Sequence, residues 1–147
     1  DSRVAMIYEG TNEIQAVDLL IRKVLPDGGA ALKAVIAQLE SSLPAQAQAA
    51  AERLNEWRQT LDAALHTHAQ AGAGAGDEWA NAIAQDFLRL SALALWSWAL
   101  ARLAVADSPS RAEWQRLEQA WWQWVMPAWS MHRQLIHTPA AALTALA

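Results

Sequence analysis

Cysteine is absent from all 147 residues, which excludes a disulfide framework and any thiolate metal site. That absence fits a reducing compartment, and the chain is read as cytoplasmic. Glycine is scarce at six residues, three of them within Ala71-Gly72-Ala73-Gly74-Ala75-Gly76. No glycine-rich phosphate loop or dinucleotide fingerprint appears. Basic residues are outnumbered 11 to 15, leaving a net charge of −4. A nucleic-acid partner normally requires a basic patch, so none is expected. The uncharged run from Leu90 to Ala101 is closed by Arg89 and Arg102, short of the ~20 apolar residues of a membrane span. Nothing alternates at period two, so no sheet is expected.

What is present is helical. The composition is 54% hydrophobic and 18% charged, which suits a globular domain with a real core. A first helix is expected from about Asn12 to Leu25, burying Ile14, Val17, Leu20, Ile21 and Val24, with Asp18 and Arg22 paired at i,i+4. Pro26-Asp27-Gly28-Gly29 stops it. A second runs from Ala30 to about Ser42 on Leu32, Val35, Ile36 and Leu39. Pro44 suits the first turn of a third, which buries Leu54, Trp57, Leu61 and Leu65 and fades near Gln70. The Ala-Gly stretch then reads as a flexible linker or loop.

Asp77 opens the longest helix, to about Ala106, with Trp79, Ile83, Phe87, Leu90, Ala94 and Leu100 on one face and further apolar residues almost all round. It is read as central to a bundle. Ser110 with Glu113 resembles a capping box, and Ser108 followed by Pro109 is an equal claimant. The fifth helix reaches about His137, kinked at Pro127. Thr138-Pro139 could start a last short helix. The expected fold is an all-α antiparallel helical bundle.

Nine Trp are read as core or interface rather than as a ligand platform. Trp114, Trp121 and Trp124 have the spacing of a buried seam. Trp122 and Trp129, seven apart on a neighbouring face, are the expected contributors to self-association. The four His offer no i,i+4 pair: His66 and His68 are two apart, His132 and His137 five. No metal site and no nucleophilic triad are therefore expected.

The stretch with the sharpest chemistry is Met6-Ile7-Tyr8-Glu9-Gly10-Thr11-Asn12-Glu13-Ile14-Gln15. Gly10 permits a tight turn, and Thr11 or Asn12 can cap the helix that follows. Glu9 is thereby expected on a short loop beside a helix N-terminus, flanked by Ile7 and Tyr8. Partial desolvation raises a carboxyl pKa and makes it a better proton acceptor near neutrality.

Residues Ile7 to Gln15 closely resemble the C-terminal signature of the acyl-CoA dehydrogenase family around its catalytic base, and Asp1 to Ala5 resemble the end of the helix before it. The resemblance implies that Glu9 removes the α-proton of an acyl-CoA thioester while a β-hydride passes to FAD, giving a trans-2-enoyl-CoA. It places Tyr8 and Gly10 at the acyl-thioester site, and Thr11 and Glu13 on the flavin side. Gln is frequent at the Glu13 position, and a carboxylate accepts hydrogen bonds but cannot donate them as an amide does. Electron-transfer flavoprotein is the implied electron acceptor, and a homodimer or larger homo-oligomer the implied assembly.

A chain that starts at Asp1 inside such a motif reads as the C-terminal piece of a longer protein, so the isolated piece is expected to be inactive and to hold no flavin. Residues 1–29 would end the catalytic helical domain, and 30–147 would form an additional helical domain. That addition resembles the branch that includes enzymes acting on 3-methylmercaptopropionyl-CoA. Two other readings stay open: an oxidase-like relative, and a helical interaction or dimerisation module without catalysis of its own.

Overall fold

The computed structural model describes residues 11–144, which contain helices and turns and no strand. The all-α expectation holds. Helical residues 11–17 run directly into a π-helical turn, Asp18–Val24, and the two are together α1. Five further helices follow in order: α2 (Ala30–Ser41), α3 (Gln48–Ala71), α4 (Ala75–Leu103), α5 (Arg111–Ala120) and α6 (Ala128–Ile136). A π-helical segment, Trp121–Val125, continues α5, and a short α7 (Ala140–Thr144) lies where Thr138-Pro139 was expected to start one.

Helix α4 is the axle of the bundle. It packs on α1, α3, α5, α6 and α7, while α2 rests on α1 and α3. The six residues expected on its main face, Trp79 through Leu100, are all buried. Burying a side chain of Leu, Ile or Phe size contributes about 1.5–3 kcal/mol, so one helix supplies much of the common core. Ala80, Ala84, Ala94 and Ala101 are buried between them and let neighbouring helices approach closely.

The widened face of α4 is only partly covered. Leu93 is buried, but Leu95 and Trp96 are exposed. Trp indoles instead act as cross-links. Trp79 donates to the Thr138 carbonyl at 2.8 Å, Trp98 to Ser42 Oγ at 2.9 Å, Trp121 to Ser97 Oγ at 2.9 Å, and Trp129 to Glu56 Oε2 at 2.7 Å.

In α1 the buried stripe is Ala16, Leu20 and Val24, whereas Ile14 is 70% exposed and Val17 and Ile21 are half-buried. A π turn closes its hydrogen bonds five residues back, as Leu25 N–H does to the Leu20 carbonyl at 2.9 Å, so the apolar stripe drifts from its α-helical phase. The same geometry puts Lys23, five residues on, at 3.1 Å from Asp18, nearer than Arg22 at 3.9 Å. Gly28 and Gly29 have φ of 63° and 72°, and the Asp27 carboxylate accepts from the Gly29 and Ala31 N–H groups at 2.9 and 3.0 Å. Asp27 thus caps the start of α2, while the Gly29 N–H closes α1 on the Val24 carbonyl at 2.8 Å.

In α2, Ile36 is buried and Leu32 and Leu39 half-buried, but Val35 is exposed. Helix α3 begins four residues after Pro44, which forms a turn closed by Ala47 N–H to the Pro44 carbonyl at 2.9 Å. The Ala-Gly stretch is no flexible linker. Only residues 72–74 connect α3 to α4, and Gly76 is buried inside α4, where an added Cβ would sit 2.9 Å from the His68 carbonyl oxygen. Small residues are there because two helices turn back on each other within one step.

Helix α5 starts at Arg111, and Ser110 makes no side-chain cap bond; Ser108 Oγ accepts from the Ser110 N–H at 3.3 Å, in the turn just before the helix. Arg111 instead reaches back to the Ala106 and Val105 carbonyls at 3.0 and 2.8 Å, holding the turn between α4 and α5. Pro127 does not merely kink a continuous helix; the chain widens into the π segment, turns at 126–127 and restarts. Helical phase changes across that break. Trp124, before the break, is 76% exposed, while Trp129, beyond it, is 3% exposed in the core; Leu117 of α5 is 52% exposed. The expected seam of Trp114, Trp121 and Trp124 is therefore not buried as a unit, and Trp129 is no surface anchor. Trp122 is half-buried against the core.

Candidate functional site

Three of the five candidate site residues, Tyr8, Glu9 and Gly10, lie outside the described residues. The other two are placed. Thr11 and Glu13 stand on the first described turn of α1, within an exposed stretch from Thr11 to Gln15. Both Thr11 and Asn12 are already helical, so neither is the N-cap that the sequence suggests. One turn later α1 sinks into the core through Ala16, Leu20 and Val24, which anchors the exposed turn to α4. A hydroxyl, a carboxylate and the apolar Ile14 are thus displayed on a rigid stalk.

The buried face of α1 joins the same core as α3 and α4. Whatever Thr11 and Glu13 touch is held in register with the entire bundle.

Two polar constellations were not legible in the sequence, because each is assembled across helices. Between α4 and α6, His132 Nδ1 lies 2.7 Å from Asp86 Oδ1, with His132 buried. A carboxylate at one ring nitrogen orients the imidazole. The buried hydroxyls nearby in sequence are already committed, Ser91 to the Phe87 carbonyl and Ser97 to that of Leu93, so no nucleophile is prepared. The pair reads as a satisfied structural contact.

Between α3 and α6, Glu56 accepts from Trp129 Nε1 and is bridged by Arg53 at 3.0 Å and Arg133 at 3.6 Å. The Arg53 guanidinium also lies 5.7 Å from the Trp129 ring centroid. These groups border a cleft of about 330 Å³ that includes His137. Burial first, and the Arg133 charge second, push the His137 pKa below its usual value. A guanidinium–carboxylate–indole lattice of this kind joins two helices and leaves its carboxylate fully engaged. Among the described residues no group of three His, Asp or Glu could hold a metal ion, and no helix is long and apolar enough to cross a membrane.

No family model matches the chain, and no solved structure matches it. A curated protein does: the chain is 42% identical over 119 residues to 3-methylmercaptopropionyl-CoA dehydrogenase of Ruegeria pomeroyi, a match that takes in 77% of this chain. The chain spans about a fifth of that relative's length, 20%. The resemblance to acyl-CoA dehydrogenases read from Ile7 to Gln15 is borne out by this match. A match over 77% of the chain is also much longer than residues 1–29, so most of it lies in the helices from α2 onward.

Proposed function

We propose that this chain is the C-terminal part of a flavin-dependent acyl-CoA dehydrogenase, with residues 1–29 ending its catalytic helical domain and residues 30–147 forming the additional bundle. The observation that carries the reading is the segment Ile7 to Gln15, in a chain 42% identical over 119 residues to 3-methylmercaptopropionyl-CoA dehydrogenase. Its substrate is an acyl-CoA thioester, and the relative's name points to 3-methylmercaptopropionyl-CoA. The product is the trans-2-enoyl thioester, and the enzyme is cytoplasmic.

In this reading Glu9 takes the α-proton on its carboxylate, and the thioester is positioned by Tyr8 and Gly10. FAD, when bound, would supply the acceptor for the β-hydride, and electron-transfer flavoprotein is the proposed electron acceptor of the whole enzyme. Thr11 and Glu13 fit a flavin-side role in one respect that the structure allows: both are exposed on the first turn of a firmly seated helix. Glu13 can only accept hydrogen bonds while ionised, so it suits a flavin N–H or hydroxyl group. Most of the cofactor's contacts would come from the remaining four-fifths of the protein.

Glu9→Gln in the full-length enzyme tests the assignment. It keeps the shape and removes the proton acceptor, so flavin reduction by acyl-CoA should slow by about 10²–10⁴-fold. Near-normal reduction would sink the role given to Glu9. Running the wild type with oxygen in place of electron-transfer flavoprotein separates a dehydrogenase from an oxidase-like relative.

A further inference from the structure

The exposed Trp residues do not lie scattered. The chain from α5 through α6 runs back along α4: Gln115 bonds to the Ala104 carbonyl, Trp121 to Ser97 and His132 to Asp86. Between the two runs lies an apolar cleft of about 460 Å³, walled by Trp96 and Leu100 on one side and by Trp114, Leu117, Trp121 and Trp124 on the other. Through the shared Trp96, Trp121 and Val125 it continues into a second cleft of about 340 Å³, where Arg89 and His132 stand. The two form one trough. It follows α4 from Leu100 to Arg89, about 16 Å at helical rise, the length of an extended dodecyl chain.

Its polar groups are confined to one end. Arg89 is exposed, and among the described residues its guanidinium has no ion pair or hydrogen bond. The carboxylate nearest to it in sequence, Asp86, is held by His132 Nδ1 at 2.7 Å and does not line the trough. Along the floor, the Trp121 N–H is engaged by Ser97 Oγ at 2.9 Å, and its ring meets that of Trp96 at 6.3 Å between centroids. The floor is therefore rigid and offers no donor of its own. A small-molecule site is mostly apolar, with a few polar groups that fix orientation.

We propose that this trough binds a free medium-chain or long-chain monocarboxylate, its alkyl chain along Trp96, Trp121 and Trp124 and its carboxylate at Arg89. Apolar contact supplies the affinity, and the guanidinium, whose forked donors match a carboxylate, selects the sign of the head. A ligand with one charge at one end answers both features, whereas a purely apolar partner surface would leave Arg89 unused. The site stands apart from the catalytic reading. No residue lining it belongs to Ile7 to Gln15, and its ligand is a free acid rather than a thioester.

Calorimetric titration of the 147-residue chain with octanoate, decanoate and dodecanoate, each below its micellar concentration, tests it. Binding should saturate at a single site and tighten by up to about fourfold per methylene. Decyltrimethylammonium, with the chain of decanoate's length and the opposite charge, should bind more weakly than decanoate. Arg89→Gln should weaken decanoate by about two- to fivefold, as for an exposed charge pair, and Arg89→Glu should reverse the order of the two amphiphiles. Trp124→Ala should weaken both by about tenfold. Both positions are exposed, so circular dichroism should show intact folding. Leu135→Ala, at an exposed apolar site on α6 outside the trough, should change nothing and serves as the control. Absence of saturable binding overturns the proposal and leaves the trough to a polypeptide. Equal binding of the two amphiphiles, or binding unmoved by Arg89→Glu or by Trp124→Ala, overturns it as well, since the ligand then lies elsewhere or is held without the guanidinium.

Discussion

Two buried Trp show how much of a ring's worth lies in its polar tip. Trp57 and Trp129 are both in the core, at 1% and 3% exposure. The indole N–H of Trp129 donates to the Glu56 carboxylate, whereas that of Trp57 has no partner among the described residues. A hydrogen bond to a charged group contributes about 1.5–3 kcal/mol, and removing one partner strands the other. Replacement by Phe shrinks the side chain equally at both sites. Trp129→Phe should therefore destabilise the chain by about 1–3 kcal/mol more than Trp57→Phe, as measured by urea unfolding; equal losses would refute the difference. The sequence could not distinguish these rings. Spacing arguments at Trp114, Trp121, Trp124 and Trp129 assume one unbroken α-helix, and the π segment with the turn at 126–127 resets the phase between them. In α3 and α4, without such a break, Leu54, Trp57, Leu61, Ile83, Phe87 and Leu90 are buried as their periodicity indicates.

At the level of elements, composition misled where geometry decided. Ala71 to Gly76 lacks large side chains and resembles a linker, yet its smallness serves a reversal between α3 and α4, the two longest helices, which pack extensively on each other. Gly→Ala inside a helix ordinarily stabilises by about 0.5–1 kcal/mol. At Gly76 the new methyl would lie 2.9 Å from a backbone oxygen of α3, which cannot rotate away. Gly76→Ala should instead destabilise by about 1–3 kcal/mol, the usual cost of overpacking. A raised melting temperature would show that α3 and α4 can part without penalty. Helix existence was legible from apolar spacing, and ends were legible where Gly and Pro punctuate them, as at Pro26 to Gly29. The α2 cap from Asp27 and the Arg111 clasp on the turn after α4 were not, since each depends on a side chain several residues away. Of the candidate site, the sequence named all five residues, and the structure describes the two on α1.

On the scale of the molecule, cohesion is uneven. Helix α4 touches five neighbours, whereas α5 packs chiefly on α4 and on its own extension and contributes no fully buried residue. Arg111 to the carbonyls ending α4 and Gln115 to the Ala104 carbonyl are its main polar ties. Segments with few buried contacts open at lower free energy than the whole. Amide hydrogen exchange should therefore be fastest, among α2 to α6, in α5, and slowest along the middle of α4. Equal protection in the two would contradict this ranking. A helix that hangs from one neighbour is also a helix whose loss need not unfold the rest. Mutational change can accumulate along Arg111–Ala120 while the axle stays fixed, so related chains that share the α4 core have room to differ most in the contour of this one face.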